Sequence, residues 1–312
     1  MERLQRFALW VLQPKVGLPL ALMLCLIASP FVYRATRLTG LPDCGHPFDV
    51  EAFGTQEVPD EENAFVEYRK AEKLFKKLPF NNDDYVSLDK ALEEGWSEAT
   101  ANVRQWVTDN RACLEVWRRG TEKPDALYLQ PKDVKFDTEF PLFDVARDNA
   151  RLACLEGSRL EEAGDLDAAW GWYRATLRSS RHFGKRGGMM ERMIGMANHA
   201  TASKAIATWA SHDDLMPQQL RQAIDNLKNA YAMTAPASVA CKCEYLYSEN
   251  MLKPSSLIKV ISIESGLGGD LGRAAGTVLF FQNEPEMGRR VMRQAYANWL
   301  TQIDKPRHQR RP

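Results

Sequence analysis

The sequence predicts an all-α protein, with a helical body behind a single N-terminal transmembrane helix. Three observations support this fold class. An uncharged run lies near the start of the chain, apolar residues then recur at the three- and four-residue spacing of helices, and only one short β-branched stretch interrupts that pattern. Lys plus Arg and Asp plus Glu each total 41. Because the net charge is zero, the composition gives no support to a general nucleic-acid binder.

Residues 16–33 contain no charged side chain, and Lys15 and Arg34 flank them. As a helix this segment would span about 27 Å, which is close to the hydrocarbon thickness of a bilayer. A cleaved signal peptide is the alternative, but it needs small residues before the cleavage site. The best candidate site, "CLIASP", places Pro30 beside the cut, and Ile27 fits it poorly. We therefore expect residues 16–33 to remain as a membrane anchor.

The basic residues around the anchor predict its orientation. More positive charge precedes the anchor than follows it, and positively charged flanks favour the cytoplasmic side. The preceding residues are Arg3, Arg6 and Lys15, and the following ones are Arg34 and Arg37. We expect a cytoplasmic N-terminus, with residues 1–13 forming a short amphipathic helix on the inner membrane surface. The helical domain would then lie outside the cytoplasm.

The chain is predicted to have two regions. Residues 1–45 hold the cytoplasmic stub, the anchor and the start of a linker, and residues 46–312 form an α-helical domain. Capping residues, glycines and prolines mark the helix ends. The predicted helices start at Asp60, Ser87, Ser97, Pro141, Asp165, Met189, Pro217, Pro236 and Pro285, and the first four end at Pro79, Gly95, Gly120 and Ala163. The segment Leu257–Phe281 is predicted to be a flexible connection, because the glycines within 265–276 fit neither a G-x-G-x-x-G fingerprint nor a P-loop.

The stretch Glu156–Leu177 predicts two helices in close contact. Glycine inside a helix costs ~1 kcal/mol relative to alanine, so Gly157 needs a physical reason. Close approach of a second helix provides one, and Ala169 on that facing helix is also small. Gly164 follows the first helix, where a positive φ angle is common, and Asp165 is placed to cap the second helix.

This hairpin resembles a tetratricopeptide repeat. In that family a glycine is followed at +3 by a large apolar residue, at +7 by a turn glycine, at +12 by alanine and at +16 by an aromatic residue. Here those places hold Gly157, Leu160, Gly164, Ala169 and Tyr173. The resemblance covers residues 150–183, about one repeat of ~34 residues. It departs from the family at Glu156 and Thr176, and no proline follows the second helix. The resemblance implies an antiparallel hairpin and the binding of a protein or peptide in a concave groove.

A second hairpin carries a similar pattern. The spacing of Ala169, Tyr173 and Thr176 in the first hairpin recurs 54 residues later, at Ala223, Leu227 and Ala230. The family's repeat length is ~34 residues, so regular tandem repeats are absent. The fold class predicted for the body is therefore an irregular array of antiparallel, tetratricopeptide-like hairpins at 141–183 and 189–232.

Four basic residues in the hairpin are candidates for partner binding. Arg174, Arg178, Arg181 and Lys185 follow at i, i+4, i+7 and i+11, so they would share a helix face if the helix extends to Lys185. None has an obvious acidic partner nearby in the sequence. One interpretation is a solvated face that complements the helix dipole. The other is a site for an anionic ligand or an acidic peptide, since free guanidinium groups pair with carboxylates and phosphates.

The remaining ionisable residues predict no metal site, no cofactor and no catalytic group. Histidines and nearby acids occur, but without the spacing of a zinc motif. They are His182, His199, His212, Glu191, Asp213 and Asp214. The pairs Cys44/His46 and Cys241/Cys243 lie ~200 residues apart and form no recognisable zinc motif. If the body lies outside the cytoplasm, one disulfide among its cysteines is allowed.

The sequence favours a membrane-anchored helical scaffold or adaptor that binds a protein or peptide partner and catalyses no reaction. Two alternatives stay open. One is an all-α enzyme with a site assembled from distant helices, around His199 and Glu191. The other is a structural component of the cell envelope. A shallow groove would favour the scaffold, and a deep cavity with converging ionisable groups would favour the enzyme.

Overall fold

The described residues of the computed structural model are 14–77, 82–135, 137–253, 256, 270, 274, 277 and 284–311. They are helical and contain no β-strand, which confirms the all-α prediction. The helices are α1 (Pro14–Thr39), α2 (Val50–Gly54), α3 (Ala64–Leu74), α4 (Asn82–Glu94), α5 (Ala101–Asp109), α6 (Arg111–Thr121), α7 (Leu142–Glu162), α8 (Leu166–His182), α9 (Met189–Trp209), α10 (Pro217–Ala232), α11 (Ala237–Met251) and α12 (Glu284–Leu300). Short 3₁₀ turns lie at Trp96–Glu98, Pro131–Asp133 and Arg307–Gln309. The predicted amphipathic helix 1–13 and nearly all of the predicted connection Leu257–Phe281 lie outside the described residues.

The chain divides into two compact units. The smaller unit comprises the described parts of Met1–Asp49 and Ser248–Thr301, and the larger unit comprises those of Val50–Tyr247 and Gln302–Pro312. The predicted hairpins and all of the candidate partner-binding residues belong to the larger unit.

Helix α1 belongs to the smaller unit. Its segment Gly17–Thr39 has a mean hydropathy of 1.7, and none of its apolar window is buried. Among the helices of the described residues, it is the one that is long and apolar enough to cross a membrane. Pro19 and Pro30 lie inside the helix without ending it. Near its C-terminal end, Arg34 forms an ion pair with Glu284 of α12 at 2.8 Å.

Helix α3 is capped by Asn63, so the predicted start at Asp60 is wrong. The Asn63 side chain accepts a hydrogen bond from the Phe65 N–H at 3.1 Å. It also donates one to the Leu127 carbonyl at 3.0 Å. An aspartate is a good cap in general, but Asn63 can both accept and donate. It therefore caps the helix and binds a segment 64 residues away in the sequence.

The predicted single helix from Ser97 to Gly120 is two helices, α5 and α6. Thr100 caps α5, and Asn110 separates the two helices. The Asn110 side chain accepts a hydrogen bond from the Lys76 N–H at 2.8 Å and donates one to the Lys76 carbonyl at 3.0 Å. This pairing with backbone groups from an earlier part of the chain favours a break at Asn110. Gly120 lies inside α6 rather than after its end.

Local capping signals predict the later helices well. Asp165 accepts a hydrogen bond from a first-turn N–H of α8 at 3.0 Å, and Pro217 is the first residue of α10. Helix α4 is an exception, because it begins at Asn82 rather than at Ser87. The Ser87 hydroxyl instead donates to the Glu98 carbonyl at 3.0 Å, so it links α4 to the following turn.

Helix α8 lies at the centre of the larger unit, in contact with α6, α7, α9 and α10. Gly157 of α7 lies directly against the ring of Tyr173, and a Cβ at Gly157 would be 2.4 Å from the Tyr173 Cε1 atom. Ala169 is fully buried beside this contact, and Leu160 packs against the same cluster. Gly164, between the two helices, has a φ angle of 79°. The close approach predicted at Gly157 is therefore present.

Replacing Gly157 with alanine should destabilise the larger unit by up to about 2 kcal/mol. Overpacking against a buried ring costs ~1–3 kcal/mol, which outweighs the gain of ~1 kcal/mol in helix propensity. Gly171→Ala in α8 is the matched control, because the nearest atom to its Cβ would be the Arg118 Nη2 at 3.8 Å. This control should stabilise the chain by up to ~1 kcal/mol. Urea unfolding of the full chain in detergent micelles measures both changes, and equal stability of the two variants would contradict the expectation.

Candidate functional site

The basic face of α8 contacts the chain's own segment Thr121–Asp125, which lies at the end of α6. Arg174 forms an ion pair with Glu122. Arg178 donates through Nε to the Thr121 carbonyl at 2.6 Å. No acidic partner lies near these cations in the sequence, since Glu122 is 52 residues from Arg174. Helix α8 ends at His182, so Lys185 lies in the following turn and not on the predicted helix face. A charge pattern along one helix does not reveal such a distant partner.

Asp125, the last residue of this segment, joins two further cations. The Lys185 Nζ lies 3.6 Å from the Asp125 carboxylate, and Arg186 binds both carboxylate oxygens at 2.9 and 2.6 Å. Burial alone would raise the pKa of Asp125, but hydrogen bonds from Arg186 and from the Ala126 N–H, with the charges of Lys185 and Arg186, hold it at about 2. Arg186 also donates to the Gln56 amide oxygen at 2.8 Å. These contacts fix Arg186, which directly precedes a double glycine.

His182 joins the same segment to α3. Its Nδ1 accepts a hydrogen bond from the Tyr68 hydroxyl at 2.7 Å, and its Nε2 lies 3.0 Å from the Lys123 carbonyl. Because a carbonyl oxygen only accepts, the ring proton is assigned to Nε2. Burial, with the charges of Arg178 and Lys185, lowers the pKa of His182 to about 3. Both nitrogens of this neutral histidine are occupied, so its role is structural rather than metal-binding.

The turn before α9 is built around two carboxyl groups. A Cβ at Gly187 would lie 2.0 Å from the carboxyl carbon of Glu191. A Cβ at Gly188 would lie 2.7 Å from the Glu244 Oε1 atom. That oxygen accepts a hydrogen bond from the Met189 N–H at 2.7 Å. Only glycine at positions 187 and 188 leaves room for the backbone to approach these carboxyl groups so closely.

A cleft of about 260 Å³ opens beside Glu191 in the larger unit. Its walls come from residues 129–140, from the turn 186–191 and from α11. Glu191 is only 5% exposed. Burial raises its pKa to about 7, although a hydrogen bond from the Gly184 N–H opposes this shift. The apolar side chains of the walls are Leu129, Pro131, Val134, Phe140, Met190 and Tyr247.

The polar groups on these walls differ in what they can do. Arg186 and Glu244 are already held by Asp125 and by the α9 backbone. Burial and the charges of Glu191 and Glu244 raise the pKa of the Cys243 thiol, so this thiol stays protonated and weakly nucleophilic. Glu191 can bind a cation or accept a hydrogen bond from a ligand. Lys135 and Thr138 also line the cleft. The cleft can thus enclose an apolar group beside a small number of polar contacts.

The other predicted residues lie elsewhere. Arg181, the remaining member of the basic face, contacts the His199 Nδ1 atom through Nη2 at 3.3 Å. His199 does not line the cleft beside Glu191. His212 lies 3.6 Å from Glu161. The predicted histidines are therefore in separate environments.

The cysteines form no disulfide. All six are free, and Cys113, Cys154, Cys241 and Cys243 are buried. The disulfide that the sequence allows is therefore absent. Within the described ranges, no group of three His, Cys, Asp or Glu side chains is arranged to hold a metal ion.

The cleft beside Glu191 is not predicted from the sequence, although its central turn has a recognisable pattern. In "KRGGMMER", residues 185–192, two glycines directly precede a helix that begins with two methionines and a glutamate. Consecutive glycines permit close approach of backbone to another group. Methionines at an exposed helix start are typical of an adaptable binding surface.

Comparisons with protein-family models, with curated proteins and with solved structures gave no match. The function is therefore inferred from the cleft and the residues around it.

Replacing Glu191 with glutamine should remove one component of the pH dependence of stability. The folded pKa of Glu191 is about 7, above its ordinary value of 4.5. Between these pH values the folded chain keeps a proton that the unfolded chain loses. The free energy of unfolding therefore falls by ~3 kcal/mol through Glu191 as the pH rises across this range. This fall should be absent in the Glu191→Gln chain.

His182 acts in the opposite sense. Its folded pKa of about 3 lies below the ordinary value of 6.5, so its contribution to stability is lost as the pH falls from 6.5 towards 3. Both chains contain His182, so the difference between their unfolding free energies isolates Glu191. Urea unfolding at several pH values from 4.5 to about 8 measures it. Glu57→Gln, at an exposed position, is the control, and a difference that stays constant with pH would contradict the expectation.

Proposed function

We propose that this protein is a membrane-anchored helical scaffold whose larger unit binds a peptide segment of a partner protein. A large apolar side chain of that peptide would occupy the cleft beside Glu191. The observation that carries the proposal is the combination of a mainly apolar cleft with a row of exposed methionines next to it. Isolated exposed apolar residues are ordinary, whereas a contiguous exposed apolar patch is typical of a binding surface.

The size of the cleft favours a side chain over a complete small molecule. Its volume is about 260 Å³, whereas sites for small ligands and cofactors typically enclose ~300–1,000 Å³. The cleft is also partly open to solvent, so a ligand that enters it can continue across the surface. A peptide with one inserted side chain meets both conditions.

The methionine row supplies the surface for the rest of the peptide. Four methionine side chains at the start of α9 are 46–64% exposed. They are Met189, Met190, Met193 and Met196. Met190 lines the cleft, and Met189, Met193 and Met196 follow at i, i+4 and i+7 on one helix face. Methionine side chains are flexible and polarisable, so they adapt to different apolar partners. A peptide helix packed on an exposed apolar face is a common mode of recognition.

The resemblance to tetratricopeptide repeats supports the same function. We propose that α7 with α8 and α9 with α10 form the two antiparallel hairpins of the irregular array. The first hairpin matches the family pattern at Gly157, Leu160, Gly164, Ala169 and Tyr173. Proteins built from such hairpins bind peptides and proteins on surfaces formed by successive helices.

We further propose that α1 crosses the membrane through residues 16–33, with the N-terminus in the cytoplasm and the larger unit outside it. The hydropathy and length of Gly17–Thr39 support the crossing. The excess of basic residues before the anchor supports the orientation. The scaffold would then present its cleft to partners on the extracytoplasmic side of the membrane.

A membrane-impermeant maleimide should label Cys44 in intact cells. Cys44 is exposed and follows the anchor, whereas Cys25 lies within the proposed membrane span. The other cysteines, Cys113, Cys154, Cys241 and Cys243, are buried and should react slowly. Loss of labelling in Cys44→Ser identifies the reactive thiol. Labelling that needs permeabilised cells would instead place residue 44 in the cytoplasm.

Met190→Lys should weaken peptide binding by about tenfold or more, because it places a charge that binding would desolvate. Peptides are first selected by display against the full chain in lipid nanodiscs. Their affinities are then measured by fluorescence anisotropy. Met216→Lys is the matched control, since Met216 is 59% exposed and does not line the cleft.

The selected peptides should depend on one large apolar residue, and its replacement by alanine should abolish binding. Equal affinities for the two lysine variants would contradict the proposed location. Peptides selected only for charge would contradict the proposed chemistry.

A catalytic role for Glu191 is the second candidate function. A carboxyl group with a pKa of about 7 has the property that general acid–base catalysis needs. The same peptides separate the two functions by mass spectrometry after incubation with the chain. Intact peptides indicate binding alone. Cleavage by the wild type but not by Glu191→Gln would indicate hydrolysis with Glu191 as the base.

A further inference from the structure

A second, smaller cleft of about 130 Å³ lies in the larger unit, where the end of α8, helix α9 and the turn after α10 meet. Arg181 and Arg192 line this cleft. No aspartate or glutamate is among the described residues that line it. Its volume suits one small polar group of a ligand rather than a whole ligand.

Arg181 is the member of the predicted basic face that does not contact the segment Thr121–Asp125. Its Nη2 contacts the His199 Nδ1 atom at 3.3 Å, and its guanidinium carbon lies 4.7 Å from the centre of the Tyr231 ring. Its Nε is buried and has no hydrogen-bond partner among the described residues. Buried donors are paired in nearly all native structures. This N–H is therefore a candidate donor to a ligand that enters the cleft.

Arg192, on the facing wall, is only partly neutralised. Its Nη1 donates to the Pro236 carbonyl at 3.2 Å. Burial raises the pKa of Asp304, but hydrogen bonds from Ser238 and the charge of Arg192 lower it overall, so Asp304 balances part of that charge. Burial lowers the pKa of Arg181, a hydrogen bond to Tyr231 opposes this shift, and the charge of Arg192 adds to it. The site thus keeps roughly one uncompensated positive charge, which matches a monovalent anion.

Two glycines fix the backbone around this cleft. A Cβ at Gly184 would lie 2.7 Å from the Arg192 Cα atom, and one at Gly195 would lie 2.4 Å from the Ser180 carbonyl oxygen. The start of α9 therefore packs on the end of α8 through backbone atoms. Such packing holds both arginines on rigid elements, so little ordering is left for a ligand to impose.

We propose that this cleft binds the carboxylate group of a ligand between Arg181 and Arg192. A guanidinium group presents parallel N–H donors that match the two oxygens of a carboxylate. The carboxylate also carries the single negative charge that the site balances. This site goes beyond the proposed peptide cleft, because neither arginine lines the cleft beside Glu191.

The test is a nuclear magnetic resonance titration of the full chain in detergent micelles, with ¹⁵N-labelled arginine side chains. The probe is N-acetylglycine, whose carboxylate resembles a peptide C-terminus, at constant ionic strength. The Arg181 Nε–H resonance should move downfield and saturate as the carboxylate accepts its hydrogen bond. N-acetylglycinamide, which lacks the charge, should cause no such shift. Arg192→Gln should weaken binding by about tenfold.

Arg221→Gln is the matched control, because Arg221 is exposed on α10, does not line the cleft and loses the same charge. It should bind N-acetylglycine as the wild type does. Arg181→Lys keeps the charge but not the paired donors, so calorimetry should show about a tenfold loss for it as well. Equal affinities for the Arg192 and Arg221 variants would overturn the site. A shift with the amide probe, or tighter binding of inorganic phosphate than of N-acetylglycine, would overturn the carboxylate assignment.

Discussion

The pairing of α8 with the segment Thr121–Asp125 is the constraint on which the rest of the larger unit depends. Arg174, Arg178 and His182 contact this segment from one face of the helix, and Lys185 contacts it from the turn that follows α8. Its last residue, Asp125, holds Arg186 through two hydrogen bonds. Arg186 in turn precedes the double glycine that wraps the Glu191 carboxyl group. Loss of Asp125 would leave Lys185 and Arg186 without their shared carboxylate partner, so it would disturb both the contact with α8 and the turn beside the cleft.

This pairing also changes the meaning of the basic face. A row of cations without local acids has the pattern of a recognition site, and in this protein most of the row stabilises the chain's own fold. Arg181 follows Arg178 by three residues rather than four, so it lies at the edge of the row. Its neighbours are His199 and Tyr231 rather than the acids of the segment. A charge free for a ligand is therefore identified by the structure around each cation and not by the row itself.

The features that sequence analysis predicted are local ones. The helix from Pro141, the Asp165 cap and the Gly157 contact each depend on residues within one hairpin, where spacing determines which side chains meet. The Asn63 cap could not be predicted in the same way, because its second partner is the distant Leu127 carbonyl. The cleft beside Glu191 likewise combines the loop 129–140, the turn before α9 and helix α11. No local sequence pattern predicts that these three segments contact one another.

Glu191 connects the fold to the proposed function through its proton. The turn around its carboxyl group leaves little room for water, so burial favours the protonated form near neutral pH. A ligand that donates a hydrogen bond to this carboxyl group, or brings a cation to it, favours the ionised form and lowers its pKa. Binding would then release a proton, and affinity would increase as the pH rises through about 7. A purely apolar ligand would favour the protonated form and give the opposite trend. The direction of the pH dependence therefore distinguishes a peptide whose polar group contacts Glu191 from one that only fills the apolar walls.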